Sequence, residues 1–100
     1  MNESELKLEV SRFVNELKFK YSKYGINSEE IIKNDIILIN ELALLKFLNL
    51  TLTTKPIKNK VMSQDQLFYY IMNNFTEHEI KDMIRGSVIE AYNLYDNLKV

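Results

Sequence analysis

Three short stretches of this chain share one pattern, and it limits the fold more than any other feature. In each, an apolar residue precedes an Asn, Ser or Thr, a Glu or Gln follows three positions later, and another apolar residue comes next. They are Ile26-Asn27…Glu30-Ile31, Met62-Ser63…Gln66-Leu67 and Phe75-Thr76…Glu79-Ile80. The pattern joins a capping box to a hydrophobic staple. The cap side chain accepts from an orphan backbone N–H, the Glu or Gln reaches back to the cap's own N–H, and the apolar pair fixes the angle at which the chain enters the helix. Three such starts mark three helix N-termini. With only two glycines and one proline in 100 residues, little else interrupts long helices.

Apolar spacing fills in the rods. The first helix is predicted from about Glu3 to Tyr24, with Leu6, Val10, Phe13, Val14, Leu17, Tyr21 and Tyr24 on one face. Gly25 supplies a left-handed C-terminal cap there. The second, 28–49, is apolar nearly all round, which places it mid-bundle or partly against another chain. Over Asp35–Ile39 a short buried strand is the rival reading, because periodicity does not separate the two in five residues. Three threonines, Pro56 and a local lysine cluster make 51–62 the one loop, with 50–53 open to an extended conformation.

The third helix spans 64–74 and the fourth 77–98. Ile80, Met83, Ile84, Ser87, Val88, Ala91, Leu94, Tyr95 and Leu98 line one stripe of the fourth. Gly86 lies opposite that stripe, and Ser87-x-x-Glu90 could restart the helix there. The fold class is therefore all-α: a single domain over 1–100, a compact bundle of four helices, or five if the fourth breaks at Gly86.

Bulk composition narrows the function classes. At 46% hydrophobic and 27% charged the chain is ordinary for a folded domain, and a net charge of −1 lacks the basic excess of a protein that coats nucleic acid. The absence of cysteine excludes disulfides, thiolate metal sites and a thiol nucleophile, and it favours a reducing compartment. The opening Met1-Asn2-Glu3-Ser4-Glu5 is unlike a signal peptide. The apolar stretch 31–50 carries Lys33, Asn34, Asp35, Asn40, Glu41, Lys46 and Asn49, too many polar groups for a bilayer span. A soluble, cytoplasmic protein is the expectation.

Little in the chain suggests catalysis. The lone histidine, His78, could share a metal with Asp82 four residues on, but a site needs three or four ligands, and the acids beside it, Glu77 and Glu79, suit the positive end of a helix dipole. No glycine-rich phosphate loop or paired carboxylates appear. No enzyme, cofactor, metal or small-molecule substrate is expected.

Nucleic acid is the alternative partner. Lys18, Lys20 and Lys23 interleave with Phe19, Tyr21 and Tyr24, the mixture that holds phosphates and stacks bases, and Lys55, Lys58 and Lys60 stand in the loop without a nearby acid. The third and fourth helices have the layout of a helix-turn-helix. However, a reader helix opening with Glu77, Glu79 and Asp82 would set acids against phosphates. Gln64-x-x-Leu67-x-x-Tyr70-Ile71 resembles the peptide by which replication proteins grip sliding clamps. It departs from that pattern at Ile71, where a second aromatic belongs, and a core stripe accounts for the same residues.

The leading expectation is a non-catalytic helical protein that binds another macromolecule, as adaptor, accessory subunit or inhibitor, and self-associates. It rests on apolar residues that the core stripes leave over. These are Leu8 and Phe19 on the first helix, Ile89 and Tyr92 on the fourth, and the surplus of the second.

Overall fold

The computed structural model describes residues 2–21, 28–55 and 63–99, with side chains placed for 2–17, 35–55, 63 and 65–98. They form four helices: α1 (Glu3–Tyr21), α2 (Ser28–Thr54), α3 (Gln64–Asn74) and α4 (Glu77–Lys99). Among the described residues there is no strand, and the fold is all-α.

The caps of two of the three starts, Ser63 and Thr76, lie within the described residues, and both are built as capping boxes, while Met62, the staple residue before Ser63, lies outside them. Ser63 Oγ accepts from Gln66 N at 3.2 Å while Gln66 Oε1 accepts from Ser63 N at 2.9 Å. Thr76 Oγ1 accepts from Glu79 N at 3.1 Å, and Glu79 Oε1 accepts from Thr76 N at 2.9 Å. Phe75 and Ile80, the staple pair around the second box, are both buried. The third start at Asn27, the cap at Gly25 and the predicted helical residues 22–24 lie outside the described residues. A further cap had gone unread: Asn2 Oδ1 accepts from Glu5 N at 2.8 Å and opens α1.

Four sequence expectations are corrected or decided. The second helix does not stop at 49 but runs to Thr54, so 50–53 is helical and the loop begins later than 51. The hydroxyls of Thr51, Thr53 and Thr54 donate to the carbonyls of Leu48, Leu50 and Leu50 at 2.7, 3.0 and 2.7 Å. These i−3 and i−4 bonds let threonine stay helical, and the burial of Thr51 adds a tertiary anchor. The stretch Asp35–Ile39 is helix, not strand. The fourth helix passes Gly86 unbroken, because Ser87 Oγ donates back to Met83 O at 2.7 Å instead of capping a new start. Leu98, assigned to the core stripe, is exposed near the end of α4.

Side-chain contacts set the helix directions. Lys55, at the end of α2, meets Glu79 at the start of α4, and Tyr95 near the end of α4 donates to Asp35 Oδ2 at 3.0 Å near the start of α2. The two helices are therefore antiparallel. Arg85 sits over Phe13 and Tyr92 donates to the carbonyl of Val14, so α1 and α4 run parallel. α2, α4 and α1 pack pairwise into a three-helix core, with α2 against α4 the most extensive contact. α3 adds Phe68, Ile71 and Phe75 to the same core. It lies at the end where α1 starts and α2 finishes, with the Lys7 ammonium 6.0 Å from the Phe68 ring.

Candidate interaction face

α2 has two apolar sides. Ile39, Ala43, Phe47 and Thr51 are buried against the other helices, and Ile36, Leu44 and Leu48 are partly buried beside them. At 100° per residue, Leu38, Leu45 and Leu52 fall within one narrow sector opposite Ala43 and Phe47. Leu45 is 64% exposed and Leu38 and Leu52 are each 38% exposed, with Ile37 bordering them at 71%. Glu41 and Asn49 lie in the same sector and are also exposed. The result is a leucine every seven residues with one carboxylate and one amide between, facing away from the core.

Scattered exposed leucines need no explanation, but several aligned on one helix do. The chain supplies this stripe with helix-favouring leucines throughout, so propensity and packing of the inner face hold the outer one rigid. Judged by length and composition alone, Asp35–Thr54 could cross a bilayer, and 22% of it is buried. The core helix of a soluble protein passes the same length-and-composition test. Ile39, Ala43 and Phe47 are engaged with α1 and α4, and Glu41 stands in the middle of the outer sector.

Of the four residues expected at an interface, the three whose side chains are described do not form one exposed face. Leu8 is exposed on α1. The side chain of Phe19 lies outside those described. Ile89 is half-buried and packs against the core. Tyr92 is corrected outright: it is fully buried, and its hydroxyl donates to Val14 O. Burial, and then the charge of Asp96, push its phenol well above the ordinary tyrosine range. The ring fills the space between α1 and α4 while the hydroxyl takes a helical carbonyl, so an off-stripe position became core. The seven-residue spacing of Leu38, Leu45 and Leu52 was readable in the sequence and pointed to a face that the helical wheel, taken as uniformly apolar, concealed.

The basic and acidic candidates resolve similarly. Lys55 is not without a nearby acid. Its ammonium donates to Asn74 O at the C-terminus of α3, lies 4.6 Å from the Phe75 ring and stands 4.0 Å from Glu79. That is a clamp joining α2, α3 and α4, and Tyr70 completes it by donating to Lys55 O at 2.7 Å. The side chains of Lys18, Lys20, Lys23, Lys58 and Lys60 lie outside those described. Tyr70 and the buried Ile71, two residues of the clamp-binding resemblance, are thus committed within the fold. His78 Nε2 and Asp82 Oδ2 form an exposed pair at 3.2 Å, and no group of three metal-capable side chains occurs among the described residues.

A small open groove of about 160 Å³ between α1 and α2 is lined by Lys7, Val10, Asn40, Glu41 and Leu44. Asn40 there donates to Ile36 O at 2.9 Å, which turns its amide to the helix backbone. No family model matches this chain, and comparison with curated proteins and with solved structures gives no significant match.

Proposed function

We propose that this protein is a non-catalytic binding protein that acts by presenting the outer face of α2 to a protein surface. The observation that carries the reading is the alignment of exposed Leu38, Leu45 and Leu52 on the side of α2 opposite its buried residues. Rigid apolar anchors on a helix, spaced by whole turns, are what helix-in-groove and helix-pairing recognition use. Glu41 and Asn49 give the face polar points that set register, not a reaction centre.

The nucleic-acid alternative is not favoured. Of its six lysines, Lys55 is already held by a backbone carbonyl, an aromatic ring and a carboxylate. The test is a photo-crosslinking amino acid placed at Leu45 and, as a control, at exposed Glu90 on α4. In cells, position 45 should give protein adducts and position 90 should not. Equal labelling from both positions, or none from 45, removes the reading.

A further inference from the structure

We propose that the partner of this face is a second copy of the chain, with α2 paired antiparallel to its counterpart about a two-fold axis through Leu45. The inference rests on the reading of α2 as a binding face and goes further by naming the occupant. Its basis is the order of residues along the sector: Leu38, Glu41, Leu45, Asn49 and Leu52, separated by steps of three, four, four and three. The spacing is a palindrome centred on Leu45. In a two-fold contact the same patch meets itself, so residue i of one copy meets j of the other and j meets i. Here Leu45 meets Leu45, Leu38 meets Leu52, and the carboxylate of Glu41 meets the amide of Asn49 twice over.

Among the described residues neither Glu41 nor Asn49 makes a side-chain hydrogen bond or ion pair within the chain. A carboxylate accepts and an amide N–H donates, so each pair would be satisfied across the axis. The competing occupants fit less well. Parallel pairing in register sets Glu41 against Glu41, and like charges in a contact are costly. A bilayer leaves the Glu41 carboxylate in hydrocarbon. An antiparallel copy is the arrangement that matches apolar to apolar and acceptor to donor at every position of the stripe.

The matched strip is about 21 Å long at the helical rise, shorter than a permanent interface requires. The dimer is therefore reversible and dissociates on dilution. Static light scattering across a concentration series should show mass rising from monomer towards dimer. Leu45→Glu should abolish the rise while circular dichroism retains the helical signal, because Leu45 is exposed and lies outside the buried core. Asn49→Lys should tighten the dimer severalfold by setting an ammonium opposite each Glu41.

The chain has no cysteine, so single substitutions report the register. With diamide added as the two-electron oxidant, Leu45→Cys should form a disulfide-linked dimer, and Leu38→Cys should not. A mixture of Leu38→Cys and Leu52→Cys chains should cross-link. Mass that stays monomeric at every concentration overturns the proposal, as does self-linking of Leu38→Cys, which signals parallel pairing. Flotation with neutral phospholipid vesicles without any dimer also overturns it. A monomer whose position-45 photoadducts join it to a different protein sinks the two-fold pairing and leaves the binding face standing. A monomer without adducts sinks both.

Discussion

Tyr92 shows how one side chain can serve the core and a polar contact together. Its hydroxyl donates to Val14 O and its ring is fully buried. Tyr92→Phe keeps the ring and removes the donor. Since a helical carbonyl has a second lone pair and retains its own helical partner, the loss should be about 1 kcal/mol in urea denaturation. The same variant should change the alkaline limb. A phenol whose folded pKa lies above its unfolded value contributes stability below the unfolded value of about 10, and that contribution is lost as pH rises. Tyr92→Phe should therefore flatten the fall in stability above about pH 10.

Gly86 makes the opposite case. It is exposed in the middle of α4, and a Cβ built there meets nothing within 4 Å. Gly86→Ala should stabilise the protein by roughly 0.5–1 kcal/mol, read as a raised denaturation midpoint at unchanged slope. At this scale the sequence was only partly legible. Leu6, Val10, Phe13, Val14 and Leu17 are buried as their spacing implied, since each lies near the centre of a stripe. Tyr92 and Leu98 were misplaced because a stripe's edges and ends are decided by neighbouring helices, which a wheel of one helix does not contain.

Helix boundaries follow local chemistry where a cap marks them and tertiary packing where none does. Ser63 and Thr76 lie in their boxes with both reciprocal bonds formed, and that much was evident from residue order alone. Thr76→Ala should cost about 1 kcal/mol and should fray the first turn of α4, visible as faster amide exchange there. Glu79 adds a pH response to the same cap. The backbone N–H of Thr76 first, its side chain next and then Lys55 and His78 hold the Glu79 carboxyl below its ordinary value of 4.5. A depressed carboxylate pKa contributes stability above the unfolded value that is lost as pH falls through the folded one. The start of α4 should loosen below pH 4.5, and Glu79→Gln should remove that response while keeping the box, because glutamine serves as well at this position. The end of α2 was illegible for the opposite reason. Threonines disfavour helix on propensity, yet Thr51 is buried and its hydroxyl is satisfied by Leu48 O, so packing overrode a weak local preference.

Across the whole molecule, one core is shared by all four helices, and α4 is its most heavily used member, with α2 its main partner. Phe47 is fully buried on the inner face of α2. Phe47→Ala should cost about 3–5 kcal/mol against a total of roughly 5–15 kcal/mol for a domain, enough to leave a measurable unfolded fraction by calorimetry. The proposed binding face was only half legible at this scale. A helix apolar all round raises the question of what covers its second side, and the seven-residue leucine spacing marks a place, but the depth to which Ile39, Ala43 and Phe47 sink had to be known before the opposite side could be seen as exposed among the described residues.

The order of the helices in space has a consequence during synthesis. α1 and α2 both lean on α4, and the hydroxyl of Tyr92 is fastened to Val14, 78 positions earlier in the chain. A nascent polypeptide paused before Glu77 thus has α1 and α3 to set against the inner side of α2 but lacks α4, its most extensive partner. In the interval before the last helix emerges, the apolar surface that α4 will bury is open to water, and that is when aggregation competes most strongly with folding.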